Sequence, residues 1–448
     1  MYKRSQFTQV IELAGKYVFY HSRSNAMAVT KEKELLSSMG ILNKQEKVTV
    51  YTQEQMDLAK KLAQMGFLVE KDYDESMLSQ LDLFCSRFSG DAEITILTTE
   101  QCNFRCKYCY EKFERGPLQQ EIRDGLVKYI KKHLRDWKSL SIDWFGGEPL
   151  EALSVIDELS PQFIALCNQS GKAYSATMTT NGYLLNLETF KKLQKHRIKH
   201  FQITLDGPQS THDNARVLAD GSPTYQTIIN NLRSIRDNVH SHTFSITIRT
   251  NVTTEVDDKI EEHLAVLHKE FGNDDRFSFY FRPVGDWGGD CVKTIKSSLV
   301  HSFSDFLDRV AAAPFGLNYS PYKNLLAQGS CAAVKKNEFV LGSDGTIYKC
   351  TVLFDNEDNH IGLLHPDGTM EINESKMAKW ILPNEKSKAC GSCFYQPKCG
   401  GSACPANQIV SKASYCGHEK RDLPRIFQLL LKTEKERGIR IFANLDEA

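Results

Sequence analysis

From Ala92 to about residue 281, short apolar runs alternate with segments whose apolar positions recur every three to four residues. Runs of four to eight residues suit strands and the three-to-four spacing suits one face of a helix, so the beat predicts βα units around a parallel sheet. Strands are expected at 93–97, 140–145, 174–178, 201–205, 244–248 and 277–281. Helical patterns follow the first five, as at 122–134, 187–195 and 225–236, giving an α/β fold with a (β/α)6 arrangement. Polar residues and glycines gather just beyond these strands, at Thr98 to Cys102, Gly146-Gly147-Glu148, Thr179 to Gly182, Asp206-Gly207 and Arg249-Thr250-Asn251. In parallel α/β folds ligands sit at the carboxyl ends of the strands, so these tips are expected to converge on one site.

The pattern before residue 92 differs. Tyr17 to His21 and Ala26 to Thr30, joined by Ser22-Arg23-Ser24-Asn25, predict a β-hairpin. Helical segments follow at 32–39 and 52–65, and Gly66 stops the second before a short strand, which predicts a small winged-helix-like module over 1–91. The barrel-like unit spans 92–315. A cysteine-rich region follows at 316–420, with a hairpin of 338–341 and 346–349 turned by Gly342-Ser343-Asp344-Gly345. Residues 421–448 hold a charged amphipathic helix, expected over 423–441, to which only packing is assigned.

Composition narrows the chemistry. With 41% hydrophobic residues in 448, the chain can bury a large core. Its 56 basic residues balance 56 acidic ones, so no global field gathers nucleic acid or an anionic membrane. No apolar run is long enough to span a bilayer and the first residues lack a signal-peptide pattern, so a cytoplasmic location is expected. Thirteen cysteines in such a chain point to metal rather than to disulfides. Ten of them fall in two groups, 102–109 and 331–416, leaving Cys85, Cys167 and Cys291 isolated.

Cys102-x3-Cys106-x2-Cys109 stands immediately after the first predicted strand. A [4Fe–4S] cluster usually takes four thiolates, so a tight triad leaves one iron for an outside ligand. A zinc site, and with it a non-enzymatic zinc-binding scaffold, is the alternative; it needs a fourth ligand from elsewhere. The loop Cys102-Asn103-Phe104-Arg105-Cys106-Lys107-Tyr108-Cys109-Tyr110 resembles the cluster loop of the radical S-adenosylmethionine (SAM) superfamily. The resemblance implies a partial (β/α)6 barrel in which the open iron chelates SAM, whose reductive cleavage gives a 5′-deoxyadenosyl radical. It also implies that Tyr108 packs on the adenine and that Gly146, Gly147 and Glu148 receive the methionine amino group. Thr180, Asn181, Thr204 and Arg249, at later strand tips, are implied to meet ribose and carboxylate. His212, Asp213 and Arg216 resemble another segment common in the group, and each suits a helix-start or surface role equally well.

The seven cysteines from 331 to 416 stand among glycines and prolines, a composition that lets several sulfurs face one centre. Two structural zincs are one reading. The region also resembles the SPASM extension of radical SAM enzymes that modify peptides and proteins, with Gly345 five residues before Cys350 as that pattern has it. This implies two auxiliary [4Fe–4S] clusters, three in all: Cys390, Cys393, Cys399 and Cys416 at the distal one, Cys331, Cys350 and Cys404 at the proximal one. Cys404 departs from the pattern by standing one residue further from Cys399 than usual. The chain also lacks a cysteine between Cys331 and Cys350, so either Cys291 completes the proximal set or an iron is open to a substrate thiolate. Where sulfatase-maturing relatives carry an aspartate base after the cysteine equivalent to Cys350, this chain has Thr351, which disfavours formylglycine formation.

The N-terminal module is similar in pattern to winged-helix domains that bind the leader of a ribosomally made precursor peptide by strand addition. The expectation is therefore a peptide maturase that joins a cysteine sulfur to a carbon of another residue. A carbon–carbon cross-link or another oxidation is the alternative within the class. The implied partners are a precursor peptide and a low-potential electron donor such as flavodoxin or ferredoxin.

Overall fold

The computed structural model describes residues 1–43, 47–285, 302–314, 331–382, 388–400, 404–411 and 416–447. Cys291 lies outside them.

The chain opens with β1 (Tyr2–Arg4), β2 (Thr8–Leu13), β3 (Lys16–His21) and β4 (Met27–Thr30). β2, β3 and β4 form antiparallel neighbours, and two helices, Lys33–Ser38 and Gln53–Gln64, lead to β5 (Leu68–Glu70), which pairs with β1. The second helix starts where the sequence places it because Thr52 and Gln55 cap each other: the Thr52 hydroxyl accepts from the Gln55 N–H while the Gln55 side chain accepts from the Thr52 N–H. Phe19, Leu36, Leu58, Leu62 and Phe67 pack together as this module's own core. An unpredicted helix, Ser76–Arg87, then crosses to the cysteine-rich region, where Ser79 Oγ donates to the Gln396 side chain (2.7 Å) and Arg87 to the Ile381 carbonyl (2.9 Å).

The six expected strands are present as β6 (Asp91–Leu97), β8 (Ser139–Phe145), β9 (Ala173–Thr180), β10 (Ile198–Thr204), β12 (Ser245–Val252) and β13 (Phe277–Pro283), all parallel to their neighbours. Two three-residue strands intervene, β7 (Phe104–Cys106) and β11 (Arg216–Leu218). Side chains alternate across a sheet, and here the two faces differ in chemistry. Ile94, Ile142, Ala176, Phe201, Ile246 and Phe277 are buried in one large apolar core, whereas their chain neighbours are polar: Thr95, Asp143 and Thr177 lie in register across β6, β8 and β9, and Gln202, Thr247 and Ser278 across β10, β12 and β13, with Gln202 opposite Thr179. A closed barrel would fill that inner row with branched apolar residues.

The sheet does not stop at β6. The predicted cysteine-region hairpin, β14 (Glu338–Leu341) and β15 (Thr346–Tyr348), adds to its free edge, with β14 parallel to β6 and Val340 opposite Thr95. β16 (His360–Leu364) and β17 (Met370–Ile372) continue it, giving ten strands in the order β13-β12-β10-β9-β8-β6-β14-β15-β16-β17. The C-terminal helix, Leu423–Arg437, packs on helix Phe303–Ala312, and Phe427 meets Tyr20 on the second face of the N-terminal sheet. The segment after it forms β18 (Ala443–Asn444), which pairs in parallel with β4, so the N-terminal sheet has four strands in the order β18-β4-β3-β2. Both edges of the predicted β3–β4 hairpin are thereby occupied, and β18 and β2 are the outer strands. Among the described residues no helix is long and apolar enough to cross a membrane.

Candidate functional site

The three-cysteine loop leaves the end of β6 and is held from two sides. On one side β7 pairs antiparallel with β11, placing Cys106 opposite Arg216, and the Lys107 N–H bonds the Ala215 carbonyl (3.0 Å). Phe104, fully buried, anchors this ribbon. On the other side the loop backbone lies directly on the tip of β8. The Gly147 N–H bonds the Thr99 carbonyl (3.0 Å) and the Glu148 N–H bonds the Gln101 carbonyl (2.9 Å). A Cβ at Gly146 would stand 2.2 Å from the Thr99 oxygen and one at Gly147 2.3 Å from the Gln101 oxygen. Close backbone approach is thus the reason for both glycines, and what approaches is the cysteine loop itself.

Glu148 has no solvent exposure and binds the next strand tip. It accepts from Thr180 Oγ1 (2.6 Å) and the Asn181 N–H (2.7 Å), as well as from Leu150 (3.1 Å). Burial pushes its pKa up to about 7 despite these bonds. Asn181 reaches back to the cysteine loop, donating to Asn103 Oδ1 (2.8 Å) with its amide nitrogen 4.0 Å from Cys102 Sγ. Cys102 and Cys109 are raised first by burial, Cys102 to about 12, and each also feels Cys106. Three partly buried thiols in one neighbourhood fit a cationic iron centre, which holds its ligands as thiolates. Among the described residues no three Cys, His, Asp or Glu side chains converge as a single-ion site.

Tyr108 is held by its hydroxyl. It donates to Asp206 and accepts from Arg216 (2.7 Å) and Asn251 (3.0 Å). The Asp206 carboxylate also accepts from the Asn251 N–H (2.7 Å), and Arg216 lies 3.8 Å from it. Arg216 is nearly buried yet keeps a strongly raised pKa, because Cys106, Tyr108 and Asp206 surround it against the cost of burial. His212 is a structural piece of the same corner. Its Nδ1 accepts from the Asp206 N–H (3.1 Å), so Nε2 carries the proton to Thr224 Oγ1 (3.1 Å), which in turn donates to the Arg216 carbonyl (2.6 Å). Burial keeps that imidazole neutral. Asp213 caps the next helix, accepting from Thr224 and Tyr225 (2.9 Å each). Of the three residues left open by sequence, Arg216 alone faces the cysteine loop. Thr204 and Arg249 stand opposite each other at their strand tips, where Arg249 donates to Asn251 Oδ1 (2.9 Å) and its guanidinium sits 5.9 Å from the Tyr280 ring centre.

Asp206 and Asn251 were not named as site residues by sequence reasoning, although the tips that hold them, Asp206-Gly207 and Arg249-Thr250-Asn251, were expected to converge on one site.

The second cysteine group meets the first through Tyr110. Burial raises its pKa, and the groups acting on it include Cys109, Arg249 and Cys350 together; its ring centre lies 6.4 Å from that of Phe354 in the loop after Cys350. Cys350 is fixed by Asn359, which is fully buried. Asn359 Oδ1 accepts from the Lys349 and Cys350 N–H groups (2.9 and 2.8 Å) while its nitrogen donates to the Cys350 carbonyl (2.9 Å). Burial lifts the Cys350 thiol to about 12, and Cys331 and Cys404 add to the effect, so these three share one neighbourhood despite the longer spacing before Cys404. Cys393, Cys399 and Cys416 form another around Lys420. The Cys393 N–H bonds the Cys390 carbonyl (3.3 Å).

A βα sheet with glycine-seated cysteines beyond its first strand defines a class, and comparison agrees: residues 96–267 match the family model of the Radical SAM superfamily. The chain carries a radical SAM domain, and that family implies SAM and a [4Fe–4S] cluster. Among curated relatives, the radical SAM cyclopropyl synthase TigE of Paramaledivibacter caminithermalis is 26% identical over 161 residues, 32% of this chain and 33% of that protein. The cysteine-type anaerobic sulfatase-maturating enzyme of Clostridium novyi is 23% identical over 342 residues, 69% of this chain and 86% of the relative. The solved structure of anSMEcpe with bound AdoMet and Kp18Cys peptide superposes with a TM-score of 0.56 at 17% identity, covering 78% of this chain and all of that one. The match to the cyclopropyl synthase thus spans about a third of that protein's length, while the match to the sulfatase-maturating enzyme spans most of it.

Proposed function

We propose that this chain is a peptide maturase that cleaves SAM reductively and installs an intramolecular thioether, joining a cysteine sulfur of a ribosomally made precursor peptide to a carbon of another residue. The observation that carries the reading is Tyr110, which lies in the field of both Cys109 and Cys350 and whose ring is 6.4 Å from that of Phe354 in the loop after Cys350, so the two cysteine groups neighbour one residue. Resemblance to a sulfatase-maturating enzyme along 69% of the chain supports a macromolecular substrate. Thr351, in place of an aspartate base, argues against that relative's own product.

In this reading Cys102, Cys106 and Cys109 hold the SAM-binding cluster, Cys331, Cys350 and Cys404 the proximal auxiliary cluster, and Cys390, Cys393, Cys399 and Cys416 the distal one. When bound, the first cluster supplies the electron that splits SAM into methionine and a 5′-deoxyadenosyl radical, which takes a hydrogen atom from the peptide. The protein's part is placement. Glu148, tied to Thr180 and Asn181, offers a carboxylate to the methionine ammonium; such a cation favours the ionised form that burial alone opposes. Thr180, Asn181, Thr204 and Arg249 face the rest of the nucleoside, and the Asp206–Arg216–Asn251 corner fixes Tyr108 for contact with the adenine. The leader is expected to add as a strand beside β2, since β18 covers β4. A low-potential electron donor is the second partner.

Anaerobic co-expression with the precursor peptide, followed by mass spectrometry with and without thiol alkylation, tests this. A thioether removes two hydrogens and one alkylatable thiol. Loss of two hydrogens with every thiol still alkylatable assigns a carbon–carbon link instead, and a colourless protein holding zinc and no iron refutes the enzyme altogether.

A further inference from the structure

The distal cysteines have a lysine ammonium in donor contact with a sulfur. Lys420 lies one helical turn beyond Cys416, on the short helix His418–Arg421, and its Nζ is 3.9 Å from Cys416 Sγ in donor geometry. Cys393 and Cys399 also lie within its field. Neighbouring Lys398 points elsewhere, bonding Asn25 of the N-terminal module. Lys420 also lines a cleft of about 860 Å³ with Lys3, Arg4, Cys393 and Phe394, so a shorter side chain there leaves no sealed void.

A cluster held by thiolates gains a further negative charge on reduction. A fixed cation that donates to its sulfurs stabilises the reduced state more than the oxidised one, and hydrogen bonds to sulfur together with net charge are principal determinants of iron–sulfur potentials. We propose that Lys420 tunes the distal auxiliary cluster, raising its reduction potential so that it accepts an electron more readily than the same cluster would without the ammonium. The inference rests on the assignment of Cys390, Cys393, Cys399 and Cys416 as that cluster's ligands.

The test is a redox titration of the full-length, anaerobically reconstituted protein followed by electron paramagnetic resonance, with the distal signal identified as the one lost in Cys393→Ala. In Lys420→Gln the ratio of reduced to oxidised distal cluster, measured at the wild-type midpoint, is expected to fall about tenfold, equivalent to about 59 mV for a one-electron couple. Lys420→Arg keeps the charge and is expected to stay within about twofold of wild type, with the other signals unmoved. An unchanged midpoint in Lys420→Gln overturns the inference, as does an equal shift of every signal, which marks a global disturbance. A wild-type protein with no signal that depends on Cys393 overturns the ligand assignment itself, a failure distinguishable from the other two.

Discussion

Replacing Gly147 by alanine tests whether the cysteine loop is positioned by its contact with β8. The new methyl carbon would lie 2.3 Å from the Gln101 carbonyl oxygen, 2.6 Å from its carbon and 3.0 Å from the Glu100 oxygen, all backbone atoms with no side-chain freedom to yield. Reaching ordinary contact near 3.4 Å requires the loop to retreat by about 1 Å at the residue before Cys102. Overpacking of this kind costs roughly 1–3 kcal/mol, too little to unfold a chain whose main core lies elsewhere. A displacement of that size at reacting groups costs on the order of 10²-fold in rate. Gly147→Ala is therefore expected to keep its circular-dichroism spectrum and most of its thermal stability while losing about 10²-fold in 5′-deoxyadenosine formation, with iron content measured alongside. Gly116→Ala, in the same loop with nothing within 4 Å of the added carbon, serves as the control and should behave as wild type. Full activity and iron content in Gly147→Ala would refute the argument, because the loop would then be seated by something other than the glycine contact.

Other expectations separate the parts of the molecule. Alanine at Cys102, Cys106 and Cys109 should abolish 5′-deoxyadenosine formation, whereas Cys350→Ala should lose peptide modification and retain some abortive SAM cleavage; equal loss of cleavage in both counts against separate roles. Asn359→Ala removes the bonds that fix the Cys350 backbone and should lower auxiliary iron content with the SAM-binding cluster still assembled, as read by iron analysis and SAM cleavage. His263, fully buried with its Nε2 on Thr250 Oγ1 (2.9 Å), has a pKa lowered by burial to about 3. Since the folded value lies below the unfolded 6.5, its contribution is complete above pH 6.5 and is lost as pH falls toward 3. His263→Leu should flatten the acid limb of a thermal-stability profile by up to about 5 kcal/mol, and an unaltered limb would place the acid sensitivity elsewhere.

Local signals explain which parts could be read in advance. Helix Gln53–Gln64 was visible because Met56, Leu58, Leu62 and Met65 share one face and Gly66 stops it, and the β14–β15 hairpin because Gly342-Ser343-Asp344-Gly345 specifies its turn. The six barrel strands were visible as apolar runs; β10 nonetheless starts at Ile198, three residues before its predicted start, because the charged and polar Lys199 and His200 interrupt the run. Pairings between distant segments left no such trace. β7 and β11 have three residues each and are 110 positions apart, too short for a period and too far for a turn signal. The cysteines of the first site were legible from spacing alone. Their supports were not: the bonds of Glu148 to Thr180 and Asn181 depend on the sheet bringing two strand tips together.

The pairing of β18 with β4 has a consequence for synthesis. Ala443 lies opposite Ala28, and Asp446 accepts hydrogen bonds from Thr30 Oγ1 and the Lys31 N–H, so the sheet that holds β4 waits for residues 443–446 to be translated. At about 5–20 residues per second, more than 400 intervening residues impose a delay of roughly 20–80 s. During that interval β4 presents an unpaired edge, open to any extended segment nearby. Nascent chains stalled before residue 443 should therefore be more prone to intermolecular strand pairing than the finished protein, and a chain truncated there should aggregate through the same edge.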